Sequence, residues 1–179
     1  YKDITKEEYV LVGSKSPRHP TTEAFRGLRT NLQYLLNKEG QNTILVSSMH
    51  PGEGKTFTAT NMAALLAQAG KKTLLIDYDL HKPRVHRALN VDRGTGLSGY
   101  LIGQVSWAMA VQPTDISGLD VITSGPIPPN ASELVLNDRT DELIAEARKV
   151  YDFVVIDTPP ILLITDALVL MKHVDRALL

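Results

Sequence analysis

The segment Ser47-Ser48-Met49-His50-Pro51-Gly52-Glu53-Gly54-Lys55-Thr56 sets two glycines, a lysine and a hydroxyl side by side. Glycines at Gly52 and Gly54 let the main chain curl until successive N–H groups converge on one anion. Lys55 then supplies a cation between terminal phosphates, and the Thr56 hydroxyl has the size and reach to ligate Mg²⁺. An acidic residue does neither. Such a match becomes a phosphate site only where a strand precedes it and a helix follows, because the helix start adds its own positive end.

Two further stations carry carboxylates. Leu74-Leu75-Ile76-Asp77-Tyr78-Asp79 is an apolar run ending in an Asp-x-Asp pair. In extended chain, residues two apart leave the same side, so the pair shares a target. Paired carboxylates there can hold Mg²⁺ through water or take a proton from an attacking hydroxyl. Phe153-Val154-Val155-Ile156-Asp157 repeats the pattern with one aspartate, and Pro159 and Pro160 stop a helix from starting behind it. Asp157 is thereby placed to hold Mg²⁺ from the side opposite Thr56. The other polar candidates are plainer. His19, His50, His81, His86 and His173 show no metal-ligand spacing and read as surface or loop residues. Arg84 and Arg87 lie near the acidic pair, where phosphate contact and a solvated helix face fit equally well.

The elements that must position these residues follow from the hydrophobic pattern. Strands are expected at Ile44 to Val46, Thr73 to Ile76, Leu119 to Ile122 and Phe153 to Ile156. Helices are expected at Thr56 to Ala69, Asp141 to Val150 and Ala167 to Met171, the second with Leu143, Ile144, Ala147 and Val150 facing inward. Ser124 to Asn130 reads as an ordered loop and Trp107 as a buried anchor in a small satellite helix. Strands without polar alternation, separated by helices, predict an α/β fold: a doubly wound, mostly parallel sheet with helices on both faces, forming a single domain. Ligands of such sheets bind at the carboxyl ends of the strands. Ahead of the first strand, Thr22 to Asn37 carries Phe25, Leu28, Leu32 and Leu35 or Leu36 at helical steps. Glu23, Arg26 and Arg29 fall on its other side, facing outward.

Composition narrows the classes. The chain has 179 residues, 43% of them hydrophobic, enough for one sizeable core. A net charge of -1 gives no general electrostatic footprint for nucleic acid. There is no cysteine, which removes disulfides, thiolate metal sites and cysteine nucleophiles. No run approaches the ~20 apolar residues of a membrane helix, and the cytoplasm is the expected compartment. The chain starts at Tyr1 without methionine and stops in an apolar run, Ala177-Leu178-Leu179, that reads as a strand beginning. Further elements are expected beyond it.

Taken together, these motifs resemble the bacterial tyrosine kinases (BY-kinases) that control capsular and extracellular polysaccharide synthesis, over nearly the whole chain. Ser48 to Thr56 is similar to the family's Walker A loop, which lacks the first glycine, here Met49. Leu74 to Asp79 is similar to its Walker A′ motif and Ile156-Asp157-Thr158-Pro159-Pro160 to its Walker B. Glu23-Ala24-Phe25-Arg26-Gly27-Leu28-Arg29 matches the Glu-x-x-Arg-x-x-Arg helix with which such kinases form rings, and Ser124 to Leu134 also follows the family.

The resemblance implies a P-loop NTPase fold and an ATP-dependent protein-tyrosine autokinase. Gly52, Glu53, Gly54, Lys55, Thr56 and Phe57 would bind ATP. Thr56, Asp79 and Asp157 would hold Mg²⁺, and Asp77 would activate the tyrosine hydroxyl, with Asp79 and Lys55 beside it. The implied partners are a homo-oligomeric ring, a membrane-bound activator of the polysaccharide co-polymerase kind that recruits the domain to the inner face of the membrane, and protein tyrosine substrates. Residues 1–21 would be an N-terminal extension and 22–179 the kinase domain, cut before its final elements and tyrosine-rich tail. His81 departs from the family, which has arginine there; Lys82 or Arg84 would substitute. Two rival readings share the fold: a partition or site-placement ATPase, against which His50 and Pro51 speak, and a nucleotide-locked assembly module without kinase activity.

Overall fold

The computed structural model describes residues 20–35, 42–162 and 166–179. Most of the expected N-terminal extension, and the end of the first helix through Asn37, lie outside them. Six strands form one sheet: β1 (Thr43–Val46), β2 (Thr73–Asp77), β3 (Gln112–Pro113), β4 (Leu119–Ile122), β5 (Phe153–Asp157) and β6 (Arg176–Leu178). Their order is β3-β4-β2-β5-β1-β6, with every pairing parallel except the edge pair β3 and β4. The expected α/β class is therefore the one observed.

Side chains alternate faces along each strand, and here both faces are apolar. Leu74, Ile76, Leu45, Ile122, Val154 and Ile156 enter one core, while Leu75, Ile44, Val46, Val121 and Val155 enter the other. Helices α1 (Pro20–Leu35) and α2 (Lys55–Gln68) cover the second face. α2 is buried nearly all round, through Ala59, Met62, Ala63 and Leu66 among others, and Phe25 of α1 meets Phe57 of α2 edge-to-face with ring centroids 5.8 Å apart. A short helix, α3 (Val85–Ala88), adds Val85 to the same core.

The first face carries α4 (Gly96–Leu101), α5 (Trp107–Ala110), α6 (Ala131–Val135), α7 (Arg139–Val150) and α8 (Asp166–Leu170). α7 buries Leu143, Ile144 and Ala147, with acids in its first turn and bases in its last, matching the helix dipole. Val150, expected inside, is 41% exposed because α7 ends there and the chain turns into β5. Trp107 does lie on a small satellite helix, but it is only partly buried against the core. The edge strand β3 was not foreseeable from pattern: it has two residues, one a proline, which only an edge tolerates.

Candidate nucleotide and phosphotransfer site

The strand order leaves β1 and β2 on either side of β5, and the register then does the positioning. Val46 and Asp77 are both the Cα partners of Asp157. The phosphate loop, Asp157 and Asp77 therefore emerge side by side from three adjacent strand ends.

Gly52 and Gly54 have φ of 87° and 92°, values that an L side chain resists, and Gly54 sits directly before α2. The loop is braced from within. Glu53 accepts the His50 N–H at 3.0 Å, and Ser48 Oγ donates to the His50 carbonyl at 2.8 Å. It is also tied to the loop after β5, where Ser47 Oγ donates to the Pro159 carbonyl at 2.9 Å. The Glu53 carboxylate thus shapes the loop, and the Phe57 ring packs on Phe25, so the side chains of these two expected nucleotide-binding residues are occupied elsewhere.

Lys55 Nζ lies 2.7 Å from Asp79 Oδ2 and 3.9 Å from Asp157 Oδ1. Thr56 Oγ1 donates to Asp157 Oδ2 at 2.7 Å. Asp79 also accepts the Lys82 N–H at 2.9 Å and the His81 N–H at 3.3 Å. Asp77 is fully buried and accepts from the Asp79 N–H at 3.2 Å and the Val85 N–H at 3.3 Å. The start of α3 thus clamps Asp77, which no local pattern announced.

Burial and mutual repulsion set the titration of this cluster. Burial, then the charges of Asp157 and Asp79, push Asp77 well above the ordinary carboxylate range. Burial likewise raises Asp157 to about 6, although Lys55 and the Thr56 hydroxyl pull the other way. Burial would also raise Asp79, but the Lys55 ammonium and two backbone N–H groups outweigh it and hold it below its usual value. Burial opposes the Lys55 charge, and Asp157, Asp79 and Asp77 overcome it, raising that pKa.

These residues fit a divalent cation. Three carboxylates face one ammonium, and Asp157 Oδ1 is buried without a hydrogen-bond partner. A hard oxygen set of one hydroxyl and one or two carboxylates, completed by phosphate oxygens, is how Mg²⁺ is usually held. Among the described residues, no group of three His, Cys, Asp or Glu side chains is arranged to hold a metal unaided.

Comparison with known proteins now decides the family. Residues 41–175 match the AAA domain family. Tyrosine-protein kinase YwqD of Bacillus subtilis is 41% identical over 169 residues, which is 94% of this chain and 71% of that protein. The chain belongs to the bacterial tyrosine kinases. The solved kinase domain of the Escherichia coli tyrosine kinase ETK superposes with a TM-score of 0.90 at 36% identity, covering 94% of this chain and 66% of that one. The septum site-determining protein MinD of Pyrococcus horikoshii, complexed with Mg-ADP, gives 0.66 at 26% identity over 76% of this chain and 56% of its own. The kinase likeness is thus nearer than the site-placement ATPase likeness in both measures. The chain spans 24% of the length of the Klebsiella pneumoniae and Salmonella typhimurium relatives of this tyrosine kinase family.

Lys55, Thr56, Asp77, Asp79 and Asp157 are all brought to one place. Lys82 and Arg84, either of which was expected to substitute for the family arginine, are exposed, as is Arg87. Glu23, Arg26 and Arg29 lie on α1. Glu23 and Arg26 are exposed and paired at 2.8 Å, whereas Arg29, expected to face outward, is half-buried with its Nε lacking a hydrogen-bond partner. No helix among the described residues is long and apolar enough to cross a membrane.

Proposed function

We propose that this chain transfers the terminal phosphoryl group of Mg-ATP to protein tyrosine, acting as an autokinase on neighbouring subunits in the control of capsular or extracellular polysaccharide synthesis and export. One observation carries the reading: the register that sets Asp77 beside Asp157, with Lys55 and Thr56 reaching the same point from α2. Mg-ADP in the related MinD structure supports a nucleotide with Mg²⁺ at this loop.

In this reading, the curled loop and Lys55 bind the phosphates, and Thr56, Asp79 and Asp157 are the ligands available to Mg²⁺. When bound, the cation supplies positive charge against the phosphate oxygens. Lys55 then exchanges its present partner, Asp79, for phosphate. Asp77 accepts the tyrosine proton while that oxygen bonds to the terminal phosphorus, and the bond to the departing ADP oxygen breaks. Asp77 is fully buried, so admitting a hydroxyl to it requires movement of the chain that covers it. Ring formation through Glu23, Arg26 and Arg29, and recruitment by a membrane-bound co-polymerase partner, complete the proposal; a Klebsiella pneumoniae relative whose name places it in a cps region supports the pathway.

The test is Asp77→Asn with a tyrosine-bearing partner supplied. ATP affinity should stay within about tenfold of the parent, while phosphotyrosine formation falls by ~10²-fold or more. Unchanged phosphotyrosine would refute the base, and robust ATP hydrolysis by water without phosphotyrosine would favour the ATPase class.

A further inference from the structure

The strand order β4-β2-β5-β1 lays out the chemistry along the carboxyl edge of the sheet. Lys55 and Thr56 follow β1, Asp157 ends β5 and Asp77 ends β2, so the phosphates occupy the β1 side. An acceptor hydroxyl reaching Asp77 comes from the β4 side, where Ile76 pairs with Ile122 and the chain runs on through Thr123 and Ser124.

On that side Arg93 crosses the strand end. Its carbonyl accepts the Thr123 hydroxyl, and its Nε donates to Ser124 Oγ at 3.3 Å. Its Nη2 is buried with no hydrogen-bond partner, and so is Nδ1 of His86 on α3. A guanidinium anchored through one nitrogen, with another donor buried and unused, costs free energy until an acceptor arrives. The support is stiff: a Cβ on Gly125 would run into the Thr95 carbonyl and Ser98 Oγ, so the loop after β4 is packed directly on the start of α4.

Charge points to the occupant. Between Leu80 and Thr95 the chain carries Lys82, Arg84, Arg87 and Arg93 against Asp92 alone, in a protein whose net charge is -1. Lys82, Arg84 and Arg87 are exposed, so this basic face is open to an approaching chain.

We propose that Arg93, anchored on Ser124, forms a specificity site for a carboxylate side chain flanking the acceptor tyrosine, making an acidic peptide the preferred substrate of this site. The inference rests on the kinase reading above. A planar guanidinium fork matches a carboxylate better than any single ammonium does, and a carboxylate drawn onto the half-buried Arg93 side chain would give Nη2 the acceptor it lacks.

The test uses two peptides with one tyrosine each, flanked either by Glu or by Gln. The parent protein should show a KM about tenfold lower for the Glu peptide, and Arg93→Met should remove that preference, the loss falling on KM rather than kcat. Arg93→Lys should restore part of it, and Ser124→Ala, which frees the Arg93 anchor, should weaken it if Arg93→Met proves unfoldable. Binding of the same peptides with Phe in place of Tyr, followed by fluorescence, separates this proposal from the kinase reading. Preference for the acidic Phe peptide that vanishes in Arg93→Met supports the site even if no phosphotyrosine forms. Equal binding and equal KM for both peptides would mean the site holds only water and would overturn it. So would displacement of the acidic peptide by an equal concentration of inorganic phosphate, which would make it a general oxyanion site.

Discussion

Asp157 shows how a single side chain sets a cost that function repays. It is fully buried, one oxygen is held by Thr56 and the other has no hydrogen-bond partner. Its pKa is raised from 3.8 to about 6, so the folded chain binds its proton more tightly than the unfolded chain does. The stabilisation this gives is fully present below 3.8 and lost as pH rises through about 6. Asp79 behaves oppositely: its lowered pKa stabilises above its ordinary value and is lost below it. In protein free of metal and nucleotide, the melting temperature should therefore rise as pH falls from 7.5 to 5.5. Asp157→Asn should flatten that rise and stabilise the metal-free fold at pH 7 by up to about 3 kcal/mol, while abolishing Mg²⁺-dependent stabilisation by nucleotide. Thermal melts with and without Mg-ATP check both halves, and a steeper rise in the variant would contradict the assignment. Lys55→Met, at the same scale, removes the ammonium that lies 2.7 Å from Asp79. It should abolish measurable ATP binding and turnover by calorimetry and activity assay; binding as tight as the parent's would remove Lys55 from the phosphate site.

At the scale of elements, close approach of backbones matters more than propensity. Gly96 and Gly125 lock α4 against the loop after β4: the Leu97 N–H bonds to the Thr123 carbonyl at 2.7 Å and the Ser98 N–H to the Ser124 carbonyl at 3.0 Å. Gly125 also has φ of 71°, so any side chain there is both strained and obstructed. Gly125→Ala should destabilise the fold by roughly 2–3 kcal/mol in urea unfolding. Gly52→Ala meets no atom within 4 Å, so its cost is the left-handed backbone alone, about 1 kcal/mol, and its larger effect should be on ATP affinity. Equal destabilisation by the two would deny that the α4 contact is structural.

At the scale of the molecule, the open question is assembly. The Glu23–Arg26 pair lies on the exposed side of α1 and is worth only about 0.2–0.5 kcal/mol within the helix. Replacing Glu23, Arg26 and Arg29 together by Ala should therefore leave the fold and ATP binding nearly intact. If these residues build a heterologous ring contact, the same variant should disperse the oligomer and slow phosphorylation between subunits. Light scattering of the parent and of the variant decides this; equal mass for both would exclude the helix from assembly.

Much of this molecule was legible along the chain. Runs such as Phe153 to Ile156 and Leu74 to Ile76 are apolar on both faces, which marks them as buried strands, and the glycines before Lys55-Thr56 mark a loop that curls, as the positive φ of Gly52 and Gly54 shows. Local pattern also put an aspartate at each strand end. It did not say which ends are neighbours. That depends on β5 inserting between β1 and β2, a pairing between residues more than 75 positions apart, which makes Asp157 the direct partner of Asp77. The clamp of Val85 on Asp77, the half-burial of Arg29 and the meeting of Arg93 with Ser124 were likewise decided only by tertiary structure. Hydrophobic periodicity specifies that a face is buried, whereas the neighbour across that face is chosen by the packing of the whole sheet.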